Sequence, residues 1–115
     1  MAINSLPTHG NAGLKMVMSV LGTRVLPVPS LLLTGIGSMR HLPGFAKFTL
    51  PFSDLLAGAF QLLEARNEQA IVYIGYLGEA QQIPIILACL HQYRACIHYI
   101  IIDPVSGDNG QAYVS

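Results

Sequence analysis

The stretch Ile97–Ile102, IHYIII, is apolar on nearly every residue rather than on every second one. A strand with one wet face alternates apolar and polar side chains, because successive side chains point to opposite sides. A run without alternation fits a sheet covered on both faces, the setting of parallel strands joined by helical crossovers. Ala70–Ile74 (AIVYI) has the same character. Between them, residues 79–94 place Ile83, Ile86, Leu87 and Leu90 at helical spacing. Pro84 is tolerated there if the helix begins near Gln81, since first-turn amides have no intrahelical partner.

The rest of the chain continues the alternation. Residues 2–5 form a very short apolar start, and Leu14–Leu21 (LKMVMSVL) suits a helix closed by Gly22. Residues 24–28 read as a second strand, with Pro27 marking an irregular end or an edge. Residues 30–51, rich in Gly, Pro and Ser, read as a long loop. Ser53 is placed to cap a helix over 54–66, with Asp54 favourable at its positive end and Leu55, Leu56, Ala59, Leu62 and Leu63 on one face. The order strand, helix, strand, helix, strand, helix, strand predicts one α/β domain over 1–115. Its βαβ units form a parallel sheet with helices on both faces.

Such a sheet should carry a charged shell, and here charge is scarce. Apolar residues make up 52% of the chain and charged residues 10%, against about 25% charged in ordinary soluble domains. Either the chain is buried on several sides or it is part of something larger. Net charge is zero with no basic run, which argues against nucleic-acid binding through phosphate neutralisation. The uncharged stretch between Arg24 and Arg40 is broken by Pro27, Pro29, Gly35 and Gly37, too short and too interrupted for a membrane helix. The start, MAINSLPTHGNAG, lacks the basic and apolar regions of a signal peptide. Cys89 and Cys96 form no C-x-x-C, consistent with reduced thiols in the cytoplasm. His9, His41, His91 and His98 are scattered without metal-ligand spacing.

The polar segments at the strand ends carry the chemistry. After the first strand come Ser5 and the turn Gly10 to Gly13; after the second, Ser30, Thr34, Gly35 and Gly37. After the third comes Gly75-Tyr76-Leu77-Gly78, and after the fourth, Asp103 and Asp108. All lie at the carboxyl ends of the strands, where open α/β sheets bind ligands. Gly10 and Gly13 let backbone approach a phosphate or substrate, and the glycines around Tyr76 let the chain close on a ring-shaped ligand. Asp103 directly after three isoleucines is costly unless something positive or donating meets it. Gly107 allows a turn that brings Asp108 to the same space. Two carboxylates on one loop suit Mg²⁺, which keeps waters and bridges to substrate phosphates.

With Asp103-Pro104-Val105-Ser106-Gly107-Asp108-Asn109-Gly110 and Gly75-Tyr76-Leu77-Gly78 as its strongest anchors, the chain resembles the pyridoxal and pyridoxamine kinases of the ribokinase-like superfamily. The turn from Ser5 to Gly13 and Leu21-Gly22 followed by Val25-Leu26-Pro27 support the resemblance, and hydroxymethylpyrimidine kinases share related motifs. It implies the N-terminal half of a ribokinase-like fold and ATP-dependent phosphorylation of a B6 vitamer to its 5′-phosphate in salvage. ATP, Mg²⁺ and a monovalent cation are the implied cofactors, and a homodimer is the implied state of the full-length protein. By position, Ser5 would bond the vitamin ring, Thr34 and Tyr76 would face the substrate, and Asp103 and Asp108 would organise metal and nucleotide. The family's Ser-Asn-His-Thr-Gly-like run corresponds to Thr34-Gly35-Ile36-Gly37-Ser38, with Ile36 in place of the His. The family's G-x-G-D motif, whose Asp is the general base, does not occur in these 115 residues. The expectation is a chain inactive alone and prone to associate.

Overall fold

The computed structural model describes residues 1–35, 41, 43–49, 51–103, 107–108 and 111–112. Its centre is a five-stranded sheet built from β1 (Ala2–Pro7), β2 (Pro27–Leu33), β3 (Lys47–Thr49), β4 (Ala70–Ile74) and β5 (Ile97–Ile102), in the order β3-β2-β1-β4-β5. The pairs β1–β2, β1–β4 and β4–β5 are parallel. The pair β2–β3 is antiparallel, so the sheet is mixed rather than all-parallel as the sequence suggested.

Helix α1 (Leu14–Leu21) covers one face, its buried Leu14 packing with Ala2 and Val25, and with Leu6, Val17 and Tyr73 around them. Helices α2 (Phe52–Ala65) and α3 (Gln82–Gln92) cover the other, in a core that includes Ile3, Val28, Phe60, Val72, Ile74 and Ile86. The rings of Phe60 and Tyr93 stack there with centroids 5.2 Å apart. Two short 3₁₀ turns, Gly22–Arg24 and Arg94–Cys96, lead into β2 and β5.

Several expectations shift. The first strand runs on to Pro7, and the second is displaced to Pro27–Leu33 because Gly22–Arg24 forms the 3₁₀ turn. Pro27 and Pro29 survive in a non-edge strand for a geometric reason. Ala2 N donates to Leu26 O at 2.9 Å, which turns alternate β2 nitrogens, those of the two prolines, away from β1. On that far side β3 reaches only Leu31–Leu33, so the missing amides break no ladder bond. Strand β3 itself lies inside the predicted loop.

Helix α2 starts at Phe52 with Pro51 at its cap position and no side-chain cap bond, so Ser53 is helical rather than a cap. Its buried face is Phe52, Leu56, Phe60 and Leu63, while Leu55 and Leu62 are exposed. Helix α3 likewise buries Gln82, Ile86 and Cys89 and leaves Ile83 and Leu87 outside. Both thiols are free and buried, and burial pushes the Cys89 thiol up. Strand β5 has the predicted bounds, yet its residues from His98 to Ile102 are exposed on both faces. The scarcity of charge thus has a structural counterpart in an uncovered apolar strand. No helix among the described residues is long and apolar enough to cross a membrane.

Candidate functional site

Parallel strands end at one rim, and here the rim opens between β1 and β4. Their pairing is short, Ala2 with Tyr73 and Ile3 with Ile74, and its last rung is Gly75 N donating to Ile3 O at 2.7 Å. Beyond that rung a side chain takes over from the ladder. Asn4 Oδ1 accepts from Ser5 N at 2.8 Å and from Tyr76 N at 3.1 Å. The close approach requires Gly75, since a Cβ there would stand 2.7 Å from Asn4 Cγ and closer still to Nδ2.

The turn after β4 is fastened to β2 as well. One extra residue lies on β2 between Pro29 and Leu32, opposite Asn4 to Leu6 of β1, and Ser30 falls in this irregularity. Ser30 Oγ donates to Tyr76 O at 2.7 Å. Gln82, almost fully buried at the start of α3, donates from Nε2 to Ser30 O at 2.7 Å and accepts from Gly78 N at 2.9 Å. Gly78 packs on Leu31, where an added Cβ would meet Leu31 Cδ2 at 3.1 Å. Both backbone polar groups of Tyr76 are therefore held by buried side chains, and its ring is half-buried.

Ser5 and the glycine turn also meet. Gly13 has φ +56°, and a Cβ on it would stand 2.7 Å from Ser5 Oγ and nearer still to Ser5 O. Gly10, at φ +90°, has open space around it. Lys15, on the first turn of α1, places Nζ 2.8 Å from Thr8 O, so a cation absent from the sequence reading stands at this rim. Thr34 lies at the end of β2, where its hydroxyl accepts from Ala46 N at 2.7 Å and donates toward Gly44 O at 3.1 Å. In this arrangement the hydroxyl closes its own loop; residues 36–38 lie outside the described residues.

Asp103 comes directly after β5 at the same rim, its amide extending the ladder to Ile74 O at 2.9 Å. The carboxylate is exposed and accepts from the Tyr73 hydroxyl at 2.8 Å through Oδ2. Burial raises the Tyr73 hydroxyl pKa above the usual phenol range, and the bond to Asp103 and its charge add to the rise. Gly107 and Asp108 form strand β6, paired antiparallel with β7 (Gln111–Ala112), so Gly107 is extended rather than turning. The Asp108 side chain lies outside the described residues. One exposed carboxylate with a second oxygen left over suits Mg²⁺, a cation held by one or two carboxylates plus waters and phosphates. No cluster of three or more metal-ligating side chains occurs among the described residues.

A wide apolar groove opens elsewhere, along α1 and the amino ends of the strands, lined by Met16, Val20, Leu21, Ile71 and Ile101 with Arg66 and Glu68. It contains none of the rim's candidate residues Ser5, Tyr76 and Asp103, although Tyr73, whose hydroxyl bonds Asp103, also lines it. Sequence reasoning nominated Ser5, Thr34, Tyr76, the glycines, Asp103 and Asp108. It missed Asn4, Gln82, Lys15 and Tyr73, of which Gln82 carried a signal: it stands four residues before buried Ile86 on the core-facing stripe.

No protein-family model and no curated protein matches the chain. Solved structures do. A Bacteroides thetaiotaomicron protein described as a phosphomethylpyrimidine kinase, crystallised with pyridoxal, is 29% identical over 97% of this chain and 39% of its own, with a TM-score of 0.76. Pyridoxal kinase of Entamoeba histolytica with PLP matches at 19% identity over 99% of this chain and 42% of its own, TM-score 0.75. Phosphomethylpyrimidine kinase of Clostridium difficile does so at 19% identity over 99% and 48%, TM-score 0.75. The chain carries the N-terminal portion of the ribokinase-like fold and spans less than half the length of these neighbours.

Proposed function

We propose that this ribokinase-like chain is the vitamin-binding portion of a kinase. The full enzyme would phosphorylate pyridoxal, pyridoxamine or pyridoxine at the 5′ position with MgATP, in cytoplasmic vitamin B6 salvage. The carrying observation is the 29% identity across 97% of the chain to a protein crystallised with pyridoxal. The rim geometry supports it, because Ser5, the Gly10 to Gly13 turn, Tyr76 and Asp103 all gather at the strand ends where α/β sheets take ligands. In this reading Ser5 bonds the pyridine ring and Tyr76 lies beside it. Thr34 flanks the substrate, and Asp103 and Asp108 hold Mg²⁺ and the ATP phosphates, with a monovalent cation assisting. Gly10, Gly13, Gly75 and Gly78 shape the loops between them. Phosphoryl transfer asks the protein mainly to position reactants and offset charge, which these groups can do. The homodimer implied for the longer protein belongs to the same proposal.

A second reading is favoured by the phosphomethylpyrimidine kinases among the structural neighbours. It takes the hydroxymethylpyrimidine of thiamine synthesis at the same rim. Calorimetric titration of the 115-residue chain with pyridoxal, the pyrimidine alcohol and MgATP separates the two. Pyridoxal is expected to bind at micromolar level, about −8 kcal/mol, with no phosphate transfer, because no G-x-G-D aspartate is present to serve as base. Binding of the pyrimidine alone would overturn the B6 assignment, and turnover by this chain would overturn the assignment of the base.

A further inference from the structure

The order in which parallel strands are added reverses between β1 and β4. From β1 the chain crosses over α1 to β2 on one side; after α2 it returns to β4 on the other side and crosses over α3 to β5. The crossover helices accordingly lie on opposite faces, α1 on one and α3 on the other. In open α/β sheets this reversal leaves a crevice at the carboxyl ends, where ligands enter. Asn4 stands in it.

Its carboxamide is fixed in one orientation. Two backbone N–H groups, from Ser5 and Tyr76, point at one end of the amide, so that end is the oxygen and the other is the NH₂. Asn4 is 8% exposed, and its Nδ2 has no hydrogen-bond partner among the described residues. Nδ2 also lies against the bare Cα of Gly75, in space that any other residue's Cβ would fill. Among the described residues no side-chain nitrogen or oxygen shut off from solvent lacks a partner, so the unpartnered Nδ2 keeps access to solvent. The carboxamide commits its acceptor to the backbone and keeps a donor at the mouth of the crevice.

We infer that Asn4 is a specificity-determining contact, its Nδ2 donating a hydrogen bond to an oxygen acceptor, phenolate or carbonyl, on the ring of the bound substrate. The inference rests on the kinase reading and narrows it. A ring presenting a donor at that point would face a donor and leave both groups unpaired. Pyridoxal carries a ring phenol and an aldehyde, so it supplies such an oxygen.

Asn4→Asp is the test. It keeps an oxygen for Ser5 N and Tyr76 N while exchanging the donor for an acceptor. Pyridoxal binding to the 115-residue chain and to the variant is measured by calorimetry. The side-chain amide signals of Asn4 are followed by ¹⁵N NMR in the wild-type chain as pyridoxal is added. The expected result is a loss of about tenfold or more in affinity together with a shift of the Asn4 amide pair. Equal affinity of chain and variant overturns the inference and leaves the kinase reading standing. If the variant does not fold, Asn4 amide signals that stay put while pyridoxal binds overturn it. Absence of pyridoxal binding to the wild-type chain overturns both.

Discussion

Replacing Gln82 with Leu isolates the clamp on the turn after β4. Leucine keeps the volume and the helix propensity at the start of α3, so packing and helix formation change little. Two short buried bonds disappear, Nε2 to Ser30 O at 2.7 Å and Gly78 N to Oε1 at 2.9 Å. The 3.4 Å contact from Glu79 N to Oε1 is too long to count. At about 1 kcal/mol for each bond, plus a further cost for leaving the Ser30 carbonyl unpaired beside an apolar side chain, the loss is about 2–4 kcal/mol. With a urea slope of about 1–3 kcal/mol/M, the midpoint of unfolding followed by circular dichroism should fall by roughly 0.7–4 M. Gln82→Glu sharpens the test. It keeps the acceptor for Gly78 N but needs a proton to donate to Ser30 O. Burial and the facing carbonyl raise the pKa of the new carboxyl above its unfolded value of about 4.3. Its stabilising contribution is then present below that value and lost as pH rises through the folded pKa. A Leu variant within about 0.5 kcal/mol of wild type, or a Glu variant with no added pH dependence, would refute the clamp.

Two glycines in one turn should differ. Gly13→Ala meets the Ser5 backbone and a φ of +56°, so it should cost about 2–4 kcal/mol in thermal unfolding, whereas Gly10→Ala, in open space at φ +90°, should cost about 1. Tyr73 supplies a pH test with a definite sign. Its hydroxyl pKa is raised in the folded chain, so the contribution to stability is complete below the unfolded value of about 10 and lost as pH rises past the folded one. Tyr73→Phe should therefore flatten the alkaline limb of stability against pH, and Asp103→Asn should lower the tyrosinate transition seen by absorbance.

How far the sequence could be read depended on how local each cause was. Ala70–Ile74 and Ile97–Ile102 keep their predicted bounds because a β-branched run with turn residues behind it permits little else. Leu14–Leu21 ends where predicted, and Gly22 comes next with φ +60°. Strand β3 escaped because Lys47–Thr49 is three residues long and has no periodicity to detect. In α2, Leu55 and Leu62 are as apolar as Leu56 and Leu63, and only the position of the sheet decides which stripe is buried. At the rim, Ser5, Tyr76 and Asp103 stood out as polar groups next to strand ends. Asn4 did not, and Gln82 showed only its place on the core-facing stripe of α3, because a lone amide beside apolar residues gives no sign of which distant backbone groups it will meet. Those partners are Tyr76 and Ser30, 72 and 52 residues away along the chain.

The two prolines of β2 bear on how copies of this chain can join. A strand arriving beside Pro27 and Pro29 finds no amide hydrogens to bond, and β3 covers the remainder of that border with three residues headed by a lysine. The opposite border, β5, offers a complete row of backbone groups flanked by isoleucines. Two copies that met β5 to β5 would each use up the other's most receptive border, which would favour a pair over a fibre.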